Sequence, residues 1–146
     1  MSMHTESPGQ RRWHSPLLFF AVFAAVSSLV STHESDRAIL FRVESSDQWS
    51  YYQAKSIKEA ITQNPDEKAR YAREQEGIRK EADAKTEASE HAMHVHEYCA
   101  YAVTIFQVAT ALGAIAVLVK LRPIWFTSIV LGLAGIGLII KAISLF

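Results

Sequence analysis

Apolar residues along this chain gather into three runs, with one long polar stretch between the first and second. Two runs close the sequence, Tyr98–Val119 and Ile124–Phe146, separated only by Lys120-Leu121-Arg122-Pro123. Each has about the 20 residues that a helix needs to cross roughly 30 Å of hydrocarbon. The short link predicts an antiparallel transmembrane pair. The remaining run, Leu17–Thr32, follows Arg11-Arg12 and Trp13. Its 16 residues would reach only about 24 Å as a helix. A secretory signal peptide is the rival reading, with Val26 and Ser28 as small residues before a cleavage point. The arginine pair also invites a twin-arginine reading, which the flanking residues fit poorly. Trp13 and His14 in the headgroup layer would lengthen a retained helix. The expectation is three transmembrane helices, with residues 1–16 as a flexible tail.

The polar stretch, 33–97, reads as two helical arms. Glu34–Gln63 holds neither Pro nor Gly, and Asp66–Glu97 holds only Gly77. Between them Asn64 is a good N-cap and Pro65 suits the first helical position. Asp66 and Glu67 favour the positive end of the helix dipole. The predicted fold is an all-α membrane protein with three transmembrane helices. An extramembrane antiparallel hairpin, coiled-coil-like, would turn near 63–66. Glu76–Lys80 and Glu81–Lys85 are spaced for i,i+4 ion pairs on a solvated helix.

On the first arm Ile39, Val43, Ser46, Ser50, Gln53, Ile57 and Ala60 alternate by four and three, the spacing of a coiled-coil seam. The second arm offers Ala69, Ala72, Ala82, Ala88 and Ala92, with only Ile78 and Met93 larger. Alanine buries little area, so two such arms are expected to need help from further copies of the chain.

Charge is segregated rather than balanced. The formal net charge is zero, yet 14 of 15 acidic and 10 of 15 basic residues lie in Glu34–Glu97. That mixed, mildly acidic block makes nucleic acid an improbable partner. Arg11, Arg12, Lys120 and Arg122 fall on one side of a three-helix topology, against Arg37 and Lys141 close in on the other. The expectation is a cytoplasmic N-terminus and a periplasmic hairpin. The single cysteine, Cys99, excludes an intrachain disulfide and a Cys-based zinc knuckle.

The segment Ser46-Asp47-Gln48-Trp49-Ser50-Tyr51-Tyr52-Gln53-Ala54-Lys55-Ser56-Ile57-Lys58 resembles the signature of a bacterial membrane family, the domain of unknown function numbered 4337. The Gln107 and Ala109 region of the second span is also similar. The resemblance covers most of the chain from about Leu17. It implies the same order of spans and charged helix, and an inner-membrane location. It implies no activity.

Within that segment Trp49, Tyr51, Tyr52, Gln53, Lys55 and Lys58 are the candidate partner-binding residues. On a helix Trp49, Tyr52, Gln53 and Ser56 share one face, and Tyr51, Lys55 and Lys58 another. Aromatic and amide groups at one locus suit recognition of a partner helix. The bland alternative is that these rings supply packing that the alanine-rich arm lacks. His91, His94, His96 and Cys99 suggest a metal site, joined by His33 if the turn lies near Asn64. Helical geometry weakens it, because His91 and His94 project together while His96 and Cys99 project on the other side. His96-Glu97 opens like a zinc-protease motif, but Ala100 stands where its second histidine is required. No metal and no cofactor is expected.

Gly132, Gly135 and Gly137 are not in dinucleotide order and sit inside a span. Close helix packing explains them better, as it does the pairs Ser128/Gly132 and Ala109/Gly113. Gln107 and Thr110 are polar groups within a span, expected to bond a neighbouring helix. No acidic residue lies inside a span, and Lys141 is near enough to its end to snorkel. Nothing reads as a nucleophile elbow, phosphate loop or carboxylate pair, so an enzyme is not expected. The leading expectation is a scaffold or adaptor whose hairpin mediates oligomerisation or holds a partner membrane protein. The alternatives are an accessory subunit or small channel-like bundle, and a metal- or pH-responsive sensor working through His91, His94 and His96.

Overall fold

The structure, a computed structural model, describes residues 8–145, with side chains from Pro16 onward. Readings that rest on residues 1–7, or on the side chains of Arg11, Arg12, Trp13 and His14, lie outside the described residues. Among the described residues every regular element is helical. They are α1 (Pro8–Ile61), α2 (Pro65–Val119) and α3 (Arg122–Ile143). Each is long and apolar enough to cross a membrane. Helix α1 begins inside the stretch expected as tail and carries Pro16 in its interior.

Local chemistry accounts for both breaks. At the first, Asn64 Oδ1 accepts the N–H of Asp66 at 3.0 Å, and Lys68 N–H reaches the Asn64 carbonyl at 3.0 Å. Pro65 opens α2 where no N–H partner is needed, and Asp66 and Glu67 occupy its first turn. At the second, only Lys120 and Leu121 separate α2 from α3. Lys120 takes a left-handed conformation with φ 58°, which costs a non-glycine residue about 1 kcal/mol. Pro123 follows in the first turn of α3, which has no side-chain cap.

The chain divides into two units. One comprises α1 up to His33, α2 from Val95, and α3. Its core is Phe20, Ala102, Phe106 and Ala109, with Leu131, Ile136 and Ile139 against them. Phe106 stacks with Phe20 and Phe23 at 6.2 and 5.8 Å between ring centroids. The rings fit because glycine faces them. A Cβ on Gly132 would stand 2.1 Å from the Phe20 ring, and one on Gly135 would stand 2.9 Å from Phe106. Ser128, buried, donates to the Ala109 carbonyl at 2.7 Å. A second cluster joins Val95, Cys99 and Ala142 with Val30, Tyr98 and Leu145. The outer surface is apolar, with Leu18, Leu29, Leu118, Val130 and Ile140 all exposed.

The other unit is Glu34–His94. Here α1 and α2 touch with chain numbers rising on one as they fall on the other. Ser89 donates to the Ala38 carbonyl at 2.8 Å, Ser45 to the Ala82 carbonyl at 3.2 Å, and Gln75 to Glu59 at 2.6 Å. The positions of α1 turned toward α2 are Glu34, Ala38, Phe41, Ser45, Gln48, Tyr52, Lys55 and Glu59, all buried or half-buried. They alternate by four and three. On α2 the buried positions are Gln75, Ile78, Ala82, Ser89 and Ala92. This corrects the expected seam. Ile39, Val43 and Ile57 are 56, 54 and 62 % exposed, and Ser46, Ser50, Gln53 and Ala60 are exposed with them. The row facing α2 is the more polar of two heptad rows on α1, and it holds Phe41 and Tyr52 as well as the small Ala38 and Ser45. Alanine brings the backbones close, and each serine then reaches a carbonyl of the facing helix.

Candidate interaction surface

The family-like segment Ser46–Lys58 lies wholly on α1, and the helix distributes its candidates over different faces. Tyr52 and Lys55 are half-buried toward α2, whereas Tyr51, Gln53 and Lys58 are exposed. Trp49 is half-buried and meets Tyr52 edge-on at 5.6 Å between centroids. The Lys55 ammonium forms an ion pair with Glu74 of α2 and lies 5.2 and 5.4 Å from the Tyr51 and Tyr71 ring centres. Hydrogen bonding to Glu74, and then to Tyr51, raises the Lys55 pKa against a smaller opposing effect of burial. The same bond holds the Glu74 carboxyl below its ordinary range. Lys55 is thus a tie within the chain, and the exposed face passes to Gln53 and its neighbours.

Charge pairs sort similarly. Glu76 and Lys80 pair within α2 at 2.8 Å. Lys85, spaced for Glu81, instead meets Glu44 of α1 at 2.6 Å, and this bond raises its pKa. The Lys85 ammonium also lies 5.5 Å from the ring centre of Phe41, over which the Arg37 guanidinium sits at 5.7 Å. Glu81 adds only a weaker attraction to Lys85.

The candidate metal ligands do not converge. His96 directs Nδ1 at the Ser31 carbonyl, 2.8 Å away, with the Ser31 hydroxyl at 3.0 Å. Those bonds tie α2 to α1 and set the ring's orientation. Cys99 is buried in the Val95–Ala142 cluster. His33, His91 and His94 are exposed. Among the described residues no three His, Cys, Asp or Glu side chains form a metal-holding group. A groove of about 340 Å³ in the second unit is lined by Ile39, Arg42 and Val43 of α1 and Glu90, Met93 and His94 of α2, among others.

Gln107 and Thr110 separate in the same way. Thr110 turns its hydroxyl onto its own helix, donating to the Phe106 carbonyl at 2.8 Å. Gln107 faces outward and is exposed, near the middle of the apolar stretch of α2. Sequence reasoning missed the two cross-helix serines, Ser45 and Ser89. Their signal was short, one alanine–serine step of seven on each arm (Ala38/Ser45 and Ala82/Ser89), and larger residues in the competing row outweighed it.

No curated protein and no solved structure matches the chain. A family model described as a domain of unknown function (DUF4337) matches residues 17–68 and 60–145. These two stretches take in nearly the whole sequence, including the Trp49–Lys58 segment, all three apolar stretches and Gln107, and the chain belongs to that family.

Proposed function

We propose that the chain is a non-enzymatic integral membrane protein that works by association. Its first unit lies in the bilayer and its second forms an antiparallel helical hairpin outside it. The hairpin acts as a scaffold or adaptor for oligomerisation or partner binding. The apolar outer surface of the first unit and the exposed ion pairs of the second support that division between lipid and water. The basic Lys120 and Arg122 support a cytoplasmic α2–α3 turn, a cytoplasmic N-terminus and a hairpin beyond the inner membrane.

Gln107 carries the association reading. An outward amide at mid-span meets hydrocarbon, where its donors and acceptor go unmet. Among the described residues it has no side-chain hydrogen bond. Amides in this situation join helices of neighbouring chains, each such bond contributing about 0.6–2 kcal/mol. The interior argues against a channel-like bundle in a single chain, because Phe20, Phe106, Ala109 and Ser128 fill it. The test is purification in mild detergent, with native mass measurement and mass spectrometry of associated proteins. A mass above one chain, reduced by Gln107→Leu, is expected. A lone monomer with no co-purifying protein would overturn the reading.

A further inference from the structure

The heptad row displaced from the α2 contact remains exposed on α1, its Ile39 and Val43 bordering the groove whose other wall is Glu90, Met93 and His94 of α2. Ile39, Val43, Ser46, Ser50, Gln53, Ile57 and Ala60 are exposed, and Leu40 and Ile61 widen the strip. At 100° per residue its centre lies about 150° around α1 from the row that meets α2. The outward side of α2 differs: it carries the exposed pairs Arg79–Asp83 and Glu76–Lys80. A single exposed isoleucine means little, but a row kept at four-three spacing through three turns of the heptad is a helix-pairing surface.

We propose that this row is the seam of a parallel two-stranded coil between α1 and the same helix of a second copy of this chain. Val43, Ser50 and Ile57 take the a positions, and Ile39, Ser46, Gln53 and Ala60 the d positions. The parallel sense rests on the membrane reading above, because two copies anchored by the same span leave the bilayer in the same direction. Charge supports it independently. In a parallel coil a g residue faces the e residue five places further along the other strand. Here Arg42 is at g and faces the partner subunit's Asp47 at e. Trp49 at g faces the small partner subunit's Ala54. Among the described residues neither Arg42 nor Asp47 enters an ion pair within its own chain. An antiparallel coil sets g against g, and the g positions Arg42, Trp49 and Ser56 offer no acid to Arg42.

Gln53 at d meets its own equivalent, and paired amides in a seam specify register at some cost in strength. Asp36 would occupy the a position one heptad before Val43 and bring like charges together, so the coil begins at Ile39. The α2 helices then flank the pair from outside, held by Ser45, Ser89 and Lys85.

The test uses the full chain in native membranes, in a Cys99→Ser background. Oxidation should link Val43→Cys and Ile57→Cys chains into a band of twice the mass, while Tyr51→Cys, at a b position, stays unlinked. Arg42→Asp should lower the linked fraction about fivefold, and adding Asp47→Arg should restore it. A fold lost through Arg42→Asp would not be regained in that way. The interface is overturned if Val43→Cys stays unlinked while the unaltered protein keeps a mass above one chain. It is equally overturned if the double charge reversal does not recover the loss, or if Val43→Cys links to a different protein. A single-chain mass for the unaltered protein would instead overturn the association reading from which the parallel sense follows.

Discussion

Ser45 and Ser89 clasp each other's helices reciprocally. The hydroxyl of Ser45 donates to the Ala82 carbonyl at 3.2 Å, and that of Ser89, one heptad along, donates to the Ala38 carbonyl at 2.8 Å. Both serines and both alanines are buried. Thr86 extends the first clasp, its hydroxyl 2.7 Å from that of Ser45. Such contacts need backbones closer together than a leucine seam allows, and alanine supplies that approach. The weak apolar content of the arms is therefore offset by hydrogen bonds placed in the seam itself.

Ser45→Ala and Ser89→Ala should each destabilise the second unit by about 1 kcal/mol, the net contribution of one buried hydrogen bond. Ser45→Leu should cost more, since a larger side chain against Ala82 forces the helices apart. Hydrogen exchange of the Glu34–His94 amides in detergent measures both. Equal protection in Ser45→Leu and the unaltered protein would show that the helices are not closely packed there.

Gly132→Ala should destabilise the first unit by roughly 1–3 kcal/mol, because the added methyl collides with the Phe20 ring. Phe20→Leu in the same chain should recover part of the loss. Gly137→Ala is the control, with nothing within 4 Å of the added atom. Thermal unfolding in detergent separates the three. A tolerant Gly132→Ala would mean that the ring does not sit over that glycine.

The contribution of the Lys55–Glu74 pair to the second unit should be flat through neutral pH and fall at both extremes. Glu74 has its pKa lowered by Lys55, so its contribution is present above the ordinary carboxylate value and lost as pH falls through the lowered one. Lys55 has its pKa raised, so its contribution is complete below the ordinary value of 10.5 and lost as pH rises through the raised one. Glu74→Gln should flatten most of the acid limb assigned to this pair in a pH series of unfolding midpoints. An unchanged acid limb would assign it to other carboxylates.

A C-terminal alkaline phosphatase fusion should be active and a C-terminal green fluorescent fusion dark. This follows from placing Lys120 and Arg122 on the cytoplasmic side. The opposite pair of results would reverse the orientation, and an N-terminus cleaved within Leu17–Thr32 would remove the first span.

Much of the local structure was legible in the residues alone. Three apolar stretches long enough to cross a bilayer, the capped restart at Asn64-Pro65 and a short link within Lys120–Pro123, which the structure narrows to Lys120-Leu121, are short-range facts, set by hydropathy, by the missing N–H of proline and by an asparagine side chain. The segment around Trp49 was enough to reveal the family resemblance. Tertiary structure alone decided which heptad row of α1 meets α2. Hydrophobicity favoured Ile39, Val43 and Ile57, but the choice depended on the partner face, where Ala82 and Ser89 meet Ser45 and Ala38 closely enough for hydroxyl–carbonyl bonds. The same dependence moved Lys85 from Glu81 to Glu44 and turned Lys55 into an internal tie. A residue's neighbours four places away are written in its own sequence. The side chain opposite, some 37 positions distant for Ser45 and Ala82, is chosen only when two whole surfaces fit.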